Sequence, residues 1–212
     1  MTNVLVVGAS GQISKEAIDL YLEKTDFDLT LFLRDESKLP AYDSDRISVI
    51  EGDATDKDAV EAAVEGMDVV FVSSTGDTLG TQAQEIVNAM EKKGVERLIF
   101  VTALHIYDEV PGKFGKWNDE NIGPYLGPFR EAADIIEASS LNYTILRPAW
   151  LTNYDEVEYE TTAKGEPFKG TEVSRKSVAD LSVDLSKDSS LHSRESIGMN
   201  KPNTDGDKPD WM

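Results

Sequence analysis

The chain has 212 residues, two His and no Cys, and its 40 Asp+Glu against 21 Lys+Arg give a formal charge of −19. That length fits one domain with a full hydrophobic core. Lack of Cys excludes disulfides, thiolate metal sites, iron–sulfur clusters and a Cys nucleophile, and the acidic surplus opposes a non-specific grip on nucleic acid or an anionic membrane.

Apolar runs such as residues 4–7 and 69–72 are far shorter than the ~20 residues of a membrane-crossing helix. Met1-Thr2-Asn3-Val4 carries no basic stretch or cleavage signal, so no secretory peptide is read and a cytoplasmic location is expected.

Asn3–Val7 is a β-branched run that ends in a Gly turn. Residues 12–23 place Ile13, Ala17, Ile18 and Leu22 at helical spacing. Residues 29–33 and 48–51 read as strands, the second stopped by Gly52-Asp53. Asp56 is an N-cap for a helix through Val64. A buried strand at 69–72, a helix at 82–93 closed by Gly94 and a strand at 97–102 follow. A helix over 130–138, starting near Tyr125, leads to a strand at 143–146 stopped by Pro148, and 178–185 reads as a last helix. Segments 103–124, broken by Gly and Pro, and 151–171 resist regular assignment.

This alternation predicts an α/β fold, a Rossmann-type doubly wound parallel sheet with helices on both faces. Residues 1–150 are its nucleotide-binding core. Residues 151–199 are a short C-terminal, substrate-side extension completing the same domain, and 200–212 an irregular tail. Both long loops follow strand C-termini, where ligands bind in such sheets.

The first strand runs into Gly8-Ala9-Ser10-Gly11-Gln12-Ile13-Ser14 and then a helix. Phosphate at a helix N-terminus needs N–H donors and close backbone approach, and glycine permits both. Gly8 makes the turn, Gly11 opens the helix start to a pyrophosphate, and Ser10 and Gln12 add polar contacts. Ser14 stands where the dinucleotide fingerprint has its third glycine. A plain Gly-rich turn is the alternative, and the strand before and helix after argue against it.

The end of the second strand carries the ribose reader: an acid bonds the 2′-hydroxyl of NAD, and an Arg accommodates the 2′-phosphate of NADP. Here it is Arg34, which favours NADP(H) over NAD(H). Surface pairing of Arg34 with Asp35 or Glu36 is the competing explanation. Asp53 and Ala54 lie beside the adenine, and Ser73, Ser74 and Thr75 line the cofactor's far side.

The two histidines, His105 and His192, sit on different loops, so no three-His zinc site exists and no metal site is read. His105, three residues past Thr102, is a candidate proton donor, with a polar surface role as the alternative. The acidic run 155–160 lacks the pattern of a calcium loop and reads as a solvated face. Tyr107, Phe114 and Trp117 either form a stacking lid for a planar acceptor or pack their loop against the body.

Gly8-Ala9-Ser10-Gly11-Gln12-Ile13, Leu33-Arg34-Asp35, Gly52-Asp53 and Leu141-Asn142-Tyr143-Thr144-Ile145-Leu146-Arg147-Pro148 together resemble the atypical short-chain dehydrogenase/reductases. The nearest branch is the NAD(P)-binding group of NmrA-like proteins and flavin reductase. The resemblance covers residues 3–150, with a weaker echo at 173–185. It implies that Pro148, Ala149 and Trp150 touch the nicotinamide and that Thr102 occupies the place of a catalytic Ser or Thr. It also implies that Tyr125 matches the Tyr of a Tyr-x-x-x-Lys helix, contributing to catalysis and cofactor binding. The Lys position holds Phe129 instead, with Arg130 about 100° further round the helix. Without that Lys, a Tyr titrating near its ordinary value of about 10 is a poor acid–base catalyst at neutral pH.

Two functions follow as expectations. One is an NADPH-preferring reductase of a small planar acceptor such as a flavin, quinone or related carbonyl. The other is a non-catalytic NADP(H) sensor of NmrA-like type. An open cleft over the nicotinamide favours the reductase, and Trp150 or Tyr125 filling it favours the sensor. A sugar-nucleotide epimerase asks for a larger substrate domain than the roughly 60 residues after Pro148.

Overall fold

The computed structural model describes residues 2–212. In chain order the elements are β1 (Asn3–Val7), α1 (Gln12–Lys24), β2 (Asp28–Leu33), β3 (Ile47–Glu51), α2 (Lys57–Val64), β4 (Val69–Val72), α3 (Leu79–Lys93), β5 (Arg97–Val101), α4 (Gly112–Asn121), α5 (Gly127–Ala138), β6 (Asn142–Pro148), β7 (Trp150–Thr152), β8 (Glu160–Ala163), β9 (Glu172–Ser174), α6 (Arg175–Lys187) and β10 (Glu195–Asn200). Short 3₁₀ turns lie at Glu36–Lys38 and Gly123–Tyr125.

Eight strands form one sheet in the order β3-β2-β1-β4-β5-β6-β10-β8, parallel throughout except that β8 runs antiparallel to β10. β7 and β9 make a separate parallel pair. The central strands are apolar on both faces because helices cover both. Val4 and Val6 of β1 join one core with Ala17, Ile18 and Tyr21 of α1 and Val178 and Leu181 of α6. Leu5 and Val7 join the other, with Ala63 of α2, Ile86 and Met90 of α3 and Ile136 of α5. Burying each such large apolar side chain contributes about 1.5–3 kcal/mol.

Local chemistry sets the helix ends. Asp56 accepts from Asp58 N–H at 2.9 Å and Ala59 N–H at 3.1 Å at the start of α2. Gly94, at φ +71°, closes α3 in the left-handed region by donating its N–H to Met90 O.

The expected Rossmann core is present, but the structure corrects the two segments read as irregular. Segment 103–124 contains α4, and two of its breakers, Gly112 and Gly115, meet backbone and steric requirements of that helix. Gly112 sits at φ +70°, and a Cβ on Gly115 would stand 2.1 Å from Val110 O. Segment 151–171 holds most of β7 and all of β8. β9 and β10 were also unread; Gly198 hid β10, and a Cβ there would overlap the Phe168 ring at 2.6 Å. β6 runs on through Pro148 rather than stopping at Leu146. Residues 201–212 form turns and bends.

Candidate cofactor and acceptor site

The strand order reverses between β1 and β4, and a cleft of about 260 Å³ opens above the C-terminal ends of β1 to β4. Gly8, Ser10, Gly11, Arg34, Asp53, Ala54, Ser73 and Ser74 all line it. Thr55, Thr78 and Gln82 line it too and were not singled out in the sequence; Gln82 Nε2 donates to Thr78 Oγ1 at 3.1 Å.

The glycines shape this cleft. Gly8 has φ +77°, and a Cβ there would stand 2.6 Å from Ser74 Oγ and 2.7 Å from Ser73 O. Gly11, at φ −65°, is the N-cap of α1, and no side chain caps that helix. A Cβ on Gly11 would approach Gly8 O to 3.2 Å and Ser73 O to 3.3 Å. The first turn of α1 holds no acid, so the positive end of the helix dipole and its amides face the cleft without a competing anion. This cradle fits the phosphates of a dinucleotide. Ala9 and Ile13 are buried in the core and do not line the cleft, and Gln12 is exposed outside it.

Arg34 is exposed at the end of β2 and, among the described residues, makes no ion pair. Neither expected surface competitor pairs with it. Asp35 accepts from Ser37 N–H at 3.1 Å and lies 3.7 Å from Lys38 Nζ, and the Glu36 carboxylate makes no ion pair with Arg34. Asp53 accepts from the backbone and hydroxyl of Thr55, both at 2.9 Å. Those bonds, aided by Arg34, hold its carboxyl below the usual aspartate range.

In the sheet β5 and β6 follow β4. Thr102 is buried, and its hydroxyl donates to Leu146 O at 3.0 Å. Pro148 O accepts from Leu104 N–H, and the Ala149 and Trp150 amides donate to Met199 O and Thr171 O. Trp150 is half-buried. Its indole N–H donates to Asn118 Oδ1 at 2.7 Å, and its ring lies 4.7 Å from Trp117 and 6.3 Å from Trp211.

Tyr125 is 69 % exposed at the end of a 3₁₀ turn. Phe129 is half-buried against the core beneath α5, and Arg130 binds Asp134 and Ile106 O. The His105 ring is engaged at both nitrogens: Val110 N–H donates to Nδ1 at 3.3 Å, so Nε2 carries the proton and donates to Asp119 Oδ1 at 2.9 Å.

Arg147 belongs to a motif singled out in the sequence, but its role there was unread. It is wholly buried and pairs with Glu109, whose carboxylate also accepts from His105 N–H at 3.0 Å and Tyr107 N–H at 2.9 Å. This carboxylate pins the loop after β5. The Tyr107 ring carries three cations, Arg130, Arg147 and Lys164, at 5.1, 5.3 and 4.2 Å from its centroid. Among the described residues no group of His, Cys, Asp and Glu is arranged to hold a metal, and no helix is long and apolar enough to cross a membrane.

A profile of the NAD(P)H-binding family matches residues 8–189. A Rossmann-fold NAD(P)-binding family protein from Shigella flexneri is 44 % identical, with a TM-score of 0.86 and all of both chains covered. A short-chain dehydrogenase/reductase from Veillonella parvula, solved in complex with NADP, is 33 % identical, with a TM-score of 0.93 over 99 % of each chain. Among curated relatives, an uncharacterized sugar epimerase of Bacillus subtilis, YhfK, is 28 % identical over 71 % of this chain and 72 % of its own. An NAD(P)H azoreductase of Xenophilus azovorans is 27 % identical over 56 % of this chain but only 41 % of its own. With its backbone cradle at Gly8 and Gly11 and its reversed strand order, the chain belongs to the NAD(P)H-binding family of Rossmann-fold proteins, among the atypical short-chain dehydrogenase/reductases.

Proposed function

We propose that this protein is an NADPH-preferring reductase that passes a hydride to a small planar acceptor. The observation that carries the cofactor preference is the unpaired Arg34 guanidinium at the end of β2, beside the uncapped start of α1. Gly8, Ser10 and Gly11 hold the pyrophosphate, with Gln12 at its edge, and Arg34 takes the 2′-phosphate. Asp53 and Ala54 bracket the adenine, and Ser73 and Ser74 line the far wall. The bound dinucleotide supplies the hydride; Thr102, Pro148, Ala149 and Trp150 orient the nicotinamide end, and the protein chiefly positions the two reactants. The NADP-bound relative and the azoreductase support this reading.

The second reading, an NADP(H) sensor, rests on the proton chemistry. No Lys accompanies Tyr125, which points to solvent, and the Thr102 and His105 side chains are already hydrogen-bonded.

Titrating the purified protein with NADPH and then NADH, followed by flavin and quinone acceptors, tests both. Tighter NADPH binding with acceptor turnover supports the reductase. Binding without turnover of any acceptor supports the sensor, and no binding of either nucleotide overturns both.

A further inference from the structure

The three tryptophans of this chain, Trp117, Trp150 and Trp211, come from α4, β7 and the C-terminal tail, yet they form one cluster. Trp150 directly follows Pro148 and Ala149, so the cluster adjoins the place assigned to the nicotinamide. Trp211 is 46 % exposed and lies edge-on to Trp150. The tail reaches this position through Thr204, whose carbonyl accepts from Thr171 N–H and Oγ1, and through the Lys113–Asp207 pair at 2.9 Å.

Beside the indoles stands an unexplained acid. Glu172 pairs in parallel register with Trp150, so both side chains leave the same face of the β7–β9 ribbon. Glu172 is only 6 % exposed, and among the described residues nothing donates to its Oε2. Thr152 Oγ1, one step along the same face, is also buried without a partner. The obvious internal cation is engaged: Lys201 gives its N–H to Glu172 O but its ammonium to Glu156, at 2.8 and 2.9 Å. A buried carboxylate oxygen without a partner is costly, and its natural complement is a positive charge.

We propose that Trp117, Trp150, Trp211 and Glu172 bind a planar aromatic cation, and that this cation is the hydride acceptor. Its role as acceptor rests on the reductase reading above. Indole faces attract cations through the ring quadrupole, and a protein of charge −19 steers cations towards itself. The redox balance agrees. A neutral carbonyl that receives a hydride also needs a proton, and of the candidate donors Thr102 and His105 are already hydrogen-bonded while Tyr125 is exposed to solvent. A cation needs none: a ring C–H bond of the reduced nicotinamide breaks, its hydrogen and electron pair form the acceptor's new C–H bond, the acceptor becomes neutral, the positive charge passes to the nicotinamide ring, and no proton moves.

All the tryptophan fluorescence of the protein arises from this cluster, so it reports binding without turnover. The probes are N-methylacridinium and acridine at pH 8, where they share one planar ring system and differ in charge and a single methyl group. The expected result is that the wild-type protein binds the cation at least about tenfold tighter than acridine, and that Glu172→Gln narrows this to within about twofold. Trp211→Ala weakens both probes and keeps the preference. The affinity of Glu172→Gln for NADPH and its melting temperature confirm that it is folded. Equal affinity for the two probes, or an unchanged preference in Glu172→Gln, overturns the proposal. Reduction of a neutral quinone without a cation preference removes this inference alone and leaves the reductase reading standing. A cation preference with no turnover of any acceptor upholds the site and removes the reductase reading.

Discussion

Arg147, at the end of β6, and Glu109, in the loop after β5, form an ion pair sealed from solvent, with side-chain exposures of 0 % and 5 %. The guanidinium is satisfied on its other edge by Ser196, whose hydroxyl and carbonyl accept at 3.1 and 3.3 Å. Such a pair adds little net stability over a well-packed apolar substitute, but breaking it strands a buried charge. Arg147→Met is therefore expected to cost about 3–5 kcal/mol in urea denaturation, and an Arg147→Met/Glu109→Leu double variant less than the sum of its parts. A cost below about 1 kcal/mol for Arg147→Met would mean that the loop after β5 is held by something other than this pair.

The contrast between Gly11 and Arg147 shows what the sequence made legible. The dinucleotide turn is local: a strand, two glycines three apart and a helix lie within one stretch of chain, and each glycine is explained by atoms close by. The parallel core was readable for the same reason, because its apolar runs and helix caps are local signals. Glu109 was not readable, because the carboxylate's partner Arg147 is 38 residues away. β10 was hidden by a glycine placed for Phe168, and β7 and β9 are too short, at three residues each, to show a period. The Trp117–Trp150–Trp211 cluster joins three segments that only the fold brings together.

Gly11→Asp is expected to abolish nucleotide binding without unfolding the protein. Its φ of −65° suits any L-residue and an acid at an N-cap favours the helix, but a Cβ there stands 3.2 Å from Gly8 O and 3.3 Å from Ser73 O, so the melting temperature falls modestly while phosphate is repelled. Gly8→Ala behaves differently, because a Cβ there meets Ser74 Oγ at 2.6 Å on a backbone at φ +77°. It is expected to lower stability by about 1–3 kcal/mol as well as binding. Undiminished NADPH titration with Gly11→Asp would refute the assignment of this turn.

Glu91 ties the end of α3 to the turn before β6, accepting from Ser140 N–H at 3.0 Å and Ser140 Oγ–H at 2.8 Å. The backbone bond first, and then the hydroxyl, hold its carboxyl below the usual glutamate range. A depressed carboxyl stabilises the fold fully above its unfolded value, and that contribution disappears as pH falls through the folded value. Because the group is exposed, the contribution is under about 1 kcal/mol. Thermal melts of wild type and Glu91→Gln are expected to differ at pH 7 and to converge towards pH 3. A gap that persists at pH 3 would assign the difference to packing instead.

The proposed preference for NADPH rests on Arg34. Its guanidinium has no ion partner among the described residues, and Asp53, across the same cleft, already accepts from Thr55, so the cation is available to a 2′-phosphate. Removing one charged hydrogen-bonding group costs about 1–3 kcal/mol, so Arg34→Ala is expected to weaken NADPH roughly five- to 150-fold and to leave NADH nearly unchanged. Arg34→Lys keeps the charge but loses the planar fork, and should recover only part of the difference. Calorimetric titration of both nucleotides against the three proteins separates the effects. Equal losses for NADPH and NADH in Arg34→Ala would place Arg34 in the general architecture of the cleft and remove the case for NADPH. A loss confined to NADPH, partly restored by Lys, would assign the guanidinium to the 2′-phosphate.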